Sequence, residues 1–222
     1  MTELINMSAV RKTYDGKKYV LSDVNFSLQQ GEIAIVSGAS GCGKSSFLNI
    51  VGLLDSFSDG SYVFLGKKIR KHRLNAYYRQ RATDIGFIFQ SYCLIEAISV
   101  KENILMPFLY GKTVIDRRVR HEAERLMKEL NISALAEKKA ALLSGGEKQR
   151  VAICRAMIKR PKLIIADEPT GNLDEGNTAL VVKAFNAIVG SGTSVIVVTH
   201  NPRLSFENSK RYRLEGGRLE AL

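Results

Sequence analysis

The chain has 222 residues, 45% of them hydrophobic and 25% charged, with a formal net charge of +11. That balance excludes a disordered chain, and the lack of any stretch near the roughly 18 consecutive apolar residues needed to cross a bilayer excludes a membrane-spanning one. Cys42, Cys93 and Cys154 are odd in number and form no CxxC pair, so free thiols in a reducing compartment are expected rather than a disulfide scaffold or a zinc site.

The opening MTELINMSAV has no basic start followed by an apolar run, which points to a cytoplasmic chain. Along residues 10–28 apolar and polar residues alternate around Asp15-Gly16, predicting two antiparallel strands and a turn. EIAIVS (32–37), LIIAD (163–167) and SVIVVTH (194–200) are short apolar runs bounded by polar residues or glycine, the pattern of parallel strands buried on both faces.

Directly after the first of these runs, GASGCGKSS (38–46) fits G-x-x-x-x-G-K-[ST] and leads into the helical FLNIVGLL. Glycines let backbone N–H groups wrap phosphates, the following helix points its positive end at them, and Lys44 adds charge at the β- and γ-phosphates. Ser45 offers its hydroxyl to Mg2+. The predicted cradle is Gly38, Ala39, Ser40, Gly41, Cys42, Gly43, Lys44, Ser45 and Ser46. A glycine-rich strand-to-helix turn without a nucleotide is the plainer alternative.

Further on, GKKIRKHRLNAYYRQR (66–81) carries Lys67, Lys68, Arg70, Lys71, Arg73, Arg79 and Arg81 without one carboxylate. A solvated face, anionic lipid or a partner would each account for it. In SYCLIEAIS (91–99) Tyr92, Leu94 and Ile95 follow neither strand nor helix period; they are candidates for a partner surface or for core. Over 115–131 the period is helical, with Val119, Ala123, Leu126 and Leu130 on one face. One α/β domain over 1–222 is expected, with a helical subdomain inserted at about 91–160. Internal repeats are lacking, so a second nucleotide site would need a second chain.

LSGGEKQR (143–150) opens a helix at Ser144, Gly145 and Gly146, an N-terminus able to receive a phosphate, and Ser144 with Glu147 also reads as a capping box. LIIADEPTGNLD (163–174) ends its strand on two carboxylates. Asp167 is placed to hold Mg2+ through water; Glu168, pointing the other way along the strand, can orient and deprotonate an attacking water.

Taken together these motifs resemble the ABC family, whose signature LSGGEKQR matches with Glu147 in place of the usual Gln. The resemblance runs from Tyr14 to the final strands and implies a P-loop core with a mostly parallel sheet, an N-terminal antiparallel β element and a helical signature subdomain. It implies that Tyr14 stacks on adenine, that Gln90 senses the γ-phosphate and Mg2+, that His200 is the switch histidine, and that 171–174 contact a second subunit. It further implies a head-to-tail pair of cassettes sandwiching two ATP molecules, with Ser144, Gly145 and Gly146 serving the nucleotide of the opposite copy. NIVGLLD (49–55), FQSYCLIEAISVKENI (89–104) and ADEPTGNLD (166–174) look like the lipoprotein-releasing, macrolide-exporter and peptide-resistance branch.

An ATP-hydrolysing motor on the cytoplasmic face of the membrane, driving a separate permease subunit, is the expectation that follows. Remodelling of a membrane partner without transport is left open. A DNA- or ribosome-associated ATPase would use the basic excess, yet neither a long coiled coil nor a second cassette is present, so no nucleic acid is expected.

Overall fold

The computed structural model describes residues 2–109, 114–201 and 204–222. Strands β1 (Glu3–Thr13) and β2 (Tyr19–Gln29) pair antiparallel across a turn in which the Asp15 carboxylate accepts the Lys17 and Lys18 N–H groups at 2.8 and 2.9 Å. β3 (Ile33–Ser37) feeds α1 (Lys44–Val51); β4 (Asp59–Phe64) and β5 (Lys67–Lys68) then complete a four-stranded sheet of order β2-β1-β4-β5. After α2 (Tyr78–Thr83) and β6 (Ile85–Ile88) come α3 (Val100–Leu109), α4 (Arg117–Glu129) and α5 (Gly145–Met157). β7 (Leu163–Asp167), α6 (Glu175–Gly190), β8 (Ser194–Val198), β9 (Lys210–Glu215) and β10 (Arg218–Ala221) follow. The second sheet runs β10-β9-β3-β8-β7-β6, parallel throughout except for the β9–β10 hairpin.

Side-chain alternation divides each central strand between two cores. Ile33 and Ile35, Ile164 and Ala166, Val195 and Val197 face the helices of the 100–188 region. Ala34 and Val36, Leu163 and Ile165, Ile196 and Val198 face α1 and the first sheet. Both faces are dry, which is why these strands read as unbroken apolar runs. The helical face predicted over 115–131 is present: Ala123, Leu126 and Leu130 are buried and Val119 packs beside them. Residues 110–113 of the predicted insertion lie outside the described residues.

Several elements escaped the pattern, the start of β1 and the whole of β6 among them. β1 begins at Glu3, well before its alternation becomes readable, because register shifts occur between Met7 and Val10 and Ala9 has φ 51°; a bulge of this kind scrambles period two. β6 is four residues long and contains Gly86, too little for a periodic signal.

Within the basic stretch, Lys71 donates to Ser58 O at 2.6 Å, and Arg81 to Leu53 O and Leu74 O at 3.1 and 2.8 Å. Lys67, Lys68, Arg70, Arg73 and Arg79 are exposed. No ion pair among the described residues involves any of the seven.

The α5 helix is seated on β6 through Gly86, where an added Cβ would lie 2.4 Å from Ala156 O. Gly86→Ala is therefore expected to cost roughly 1–3 kcal/mol by overpacking. A urea titration reads this directly, and an unchanged midpoint would show that the seam has room.

Candidate active site

At the end of β3 the chain turns through residues 38–43 into α1, whose N-cap, Gly43, has φ 108° and supplies no side-chain cap. The first-turn N–H groups are thus left to a ligand, and the N-terminus of the helix favours an anion there. Lys44 reaches back across the loop, its Nζ donating to Gly38 O at 2.9 Å and Ala39 O at 2.7 Å. These carbonyls hold the ammonium at the mouth of the loop. Cys42 is half-buried and packs on the apolar cluster beneath.

A cleft of about 390 Å³ opens here, lined by Val20, Gly38, Ser40, Gly41, Gly43, Lys44, Ser45, Ser46, Gln90, Asp167, Glu168 and His200. Sequence reasoning found all of these but Val20, an ordinary strand residue with no signal of its own. Asp167 ends β7, and its carboxyl is raised above the ordinary carboxylate range by burial and by the neighbouring Glu168, partly offset by Lys44. Glu168 does not point away as strand alternation predicts. The strand has already ended, the residue adopts φ 49°, and both acids reach one cleft.

Glu168 is 8% exposed and heavily bonded: Thr199 Oγ1 donates to it at 3.0 Å, His200 N–H at 2.8 Å, and His200 Nδ1 lies 2.6 Å from Oε1. The imidazole itself stays open, its side chain 75% exposed. No cluster of three or more His, Cys, Asp or Glu able to hold a metal occurs among the described residues. The cleft offers the Ser45 hydroxyl and the half-buried Asp167 carboxylate instead. That donor set fits Mg2+, a hard cation that takes most of its ligands from water and phosphate oxygens.

Tyr14 sits at the edge of the cleft, its hydroxyl 3.1 Å from Ser46 Oγ. Ser144, Gly145 and Gly146 are not in the lining. They open α5 on the surface, where the predicted capping box is complete: Glu147 N–H donates to Ser144 Oγ at 3.3 Å and Ser144 N–H to Glu147 Oε2 at 2.7 Å. Those bonds hold the Glu147 carboxyl below its ordinary pKa.

Between cleft and signature runs the segment after Gln90. Tyr92 and Cys93 have φ 61° and 49°, a costly backbone for residues with side chains. Arg155 of α5 holds it, donating to both carbonyl oxygens, at 2.6 Å for Tyr92. The Tyr92 hydroxyl accepts from Asn172 Nδ2 at 2.7 Å and lies 3.1 Å from where a Gly145 side chain would begin. Leu94 turns into the helical core, whereas Ile95, 45% exposed, faces a groove of about 470 Å³ together with Leu54, Tyr78, Phe89, Met106 and Lys159.

The ABC transporter family model matches residues 21–171. The chain belongs to that family. The cassette is 36% identical to the lipoprotein-releasing system ATP-binding protein LolD of Aquifex aeolicus over 99% of this chain and 97% of that protein. It is 37% identical to the macrolide export ATP-binding/permease protein MacB of Campylobacter jejuni over 92% of this chain, but spans only 32% of that relative's length. Among solved structures, the dimeric ADP- and Pi-bound form of the cassette MJ0796 superposes with a TM-score of 0.84 at 31% identity, covering 99% of both chains. The chain is thus an ABC ATPase cassette related to the nucleotide-binding parts of transporters, with the mixed α/β fold of that family.

A carboxyl with a raised folded pKa adds stability only below its ordinary pKa and loses that contribution as pH rises through the folded value. Ionised Asp167 therefore weakens the fold at neutral pH when nucleotide and metal are withheld. Asp167→Asn is expected to melt higher than the parent at pH 7.5, with the gap closing towards pH 4. A constant or inverted gap would contradict the assigned burial and repulsion.

Proposed function

We propose that the cassette hydrolyses ATP as one of two copies and passes the resulting change of state to a separate permease subunit at the cytoplasmic face of a membrane. The observation that carries this is the shared cleft, in which the phosphate loop, Lys44, the acidic pair and His200 converge. The loop N–H groups and Lys44 bind the triphosphate; Ser45, Asp167 and Gln90 hold Mg2+, which when bound supplies charge neutralisation at the phosphate oxygens. Glu168, backed by Thr199 and His200, orients the attacking water and takes its proton. His200, exposed beside it, contacts the γ-phosphate.

Two copies are invoked because the signature helix opens on the surface, outside its own cleft. Ser144, Gly145 and Gly146 then reach the nucleotide of the second cassette head-to-tail; that the similar cassette MJ0796 is dimeric supports the pairing of two copies. The groove beside Ile95 is the seat proposed for a cytoplasmic segment of the permease, since the same loop touches cleft and signature and can register both.

Glu168→Gln is expected to bind ATP while losing about 10²- to 10⁴-fold in kcat, and to run as a dimer on size exclusion with ATP. A fully active variant, or one that stays monomeric, would remove Glu168 from its role. Ile95→Asp is expected to abolish co-purification of the membrane subunit with little change in the isolated ATPase rate. Unaltered assembly would place the docking surface elsewhere.

A further inference from the structure

Behind Tyr14 lies a polar cluster to which the sequence patterns assign no role. Lys12, only 5% exposed, donates from Nζ to Asp55 Oδ1 at 2.8 Å and to Ser56 O at 2.7 Å. The same ammonium stands 4.4 Å from the centroid of the Tyr14 ring. Tyr14 Oη donates to Asp55 Oδ2 at 3.0 Å, which leaves its lone pairs to receive the Ser46 hydroxyl at 3.1 Å. Burial would raise the Asp55 carboxyl, but bonds from Lys12, Tyr14 and the Ser56 N–H outweigh it and keep the group below its ordinary pKa. Asp55 itself is fixed by its N–H donating to Asn49 O at 3.1 Å, beyond the end of α1, while Ser46 is in the first turn of that helix.

Tyr14 is nonetheless 63% exposed, so these groups hold one side and one end of the ring and leave the rest to solvent. A buried ammonium is an expensive object, and here one of its hydrogen-bond partners, Asp55, also anchors the Tyr14 hydroxyl while the ammonium itself stands over the Tyr14 ring. We propose that Lys12 and Asp55 are positioning residues for nucleotide binding: they fix the plane of Tyr14 at the cleft edge and place a cation on its inner face. A purine then meets a preformed platform whose electron density is drawn away from the outer face, the arrangement that favours stacking of an electron-rich base. This rests on the reading of Tyr14 as the base-stacking residue.

The test measures steady-state ATPase kinetics of the full chain together with inhibition by inorganic tripolyphosphate, which has no base to stack. Tyr14→Phe, which keeps the ring and loses the anchor, is expected to raise KM for ATP about three- to tenfold with kcat changed less than about twofold. Asp55→Ala, which removes the carboxylate that joins Lys12 to the ring, should raise KM at least as much, and adding Tyr14→Phe to it should raise KM by less than the two separate effects combined, because the Tyr14–Asp55 bond is common to both. Lys12→Met should raise KM similarly and Lys12→Arg should restore part of the loss. Tripolyphosphate inhibition should be constant throughout. Parallel weakening of tripolyphosphate would overturn the proposal by showing that the cluster merely supports the phosphate loop. Unchanged KM in Tyr14→Phe and Asp55→Ala would also overturn it, while a raised KM in Tyr14→Ala alone would leave the stacking role standing. An unchanged KM in Tyr14→Ala would remove the stacking role and the proposal with it.

Discussion

The site depends on strand register. In the parallel sheet Val36 of β3 stands opposite Val198 of β8, and Val198 opposite Asp167 of β7. Three strands therefore end on one line, and whatever follows them must meet at that edge: the phosphate loop after β3, Glu168 after β7, Thr199 and His200 after β8. Slipping one strand by one residue would send its side chains to the opposite face and disperse the cleft. The two apolar cores that grip these strands from either side are what forbid such a slip. The dry interior of this cassette is in that sense part of its chemistry.

A second constraint governs what one copy lacks. Helix α5 has to begin somewhere, and its N-terminus is closed by the Ser144 and Glu147 capping box, on the surface rather than in the cleft. Its last turns are bound to β6, and Arg155 ties it to the strained carbonyls of Tyr92 and Cys93. The Tyr92 hydroxyl in turn meets Asn172 in the loop between β7 and α6. Thus the segment after Gln90, the signature opening and the loop beyond the acidic pair form one connected body. A push on the groove beside Ile95 would be felt where a second copy is proposed to bind.

Much of this was legible in the residues. Buried parallel strands, the phosphate loop, the acidic strand end and the signature each have a local pattern whose physics is local: glycine conformations, helix ends, apolar runs. What stayed hidden depends on contacts distant in sequence. The orientation of Glu168 turns on one residue's left-handed backbone; the segment from which Leu94 turns inward and Ile95 outward is pinned by Arg155 at the carbonyls of Tyr92 and Cys93 and by Asn103 at the backbone of Ile95. Lys12 and Asp55 look like unrelated surface charges until β1 is laid beside the end of α1. Val20 lines the cleft only because β2 passes over the loop.

The central claim is that a working site takes its phosphate loop from one copy and its signature from another. Mixing Lys44→Ala chain with Ser144→Arg chain tests this directly, because each is defective in both sites of its own homodimer while the mixed pair holds one intact composite site. Each variant alone should be nearly inactive, and an equimolar mixture should recover about a quarter of the parent ATPase rate, since half the dimers are mixed and each has one good site of two. A mixture no more active than its components, with both variants folded and able to dimerise, would contradict the account.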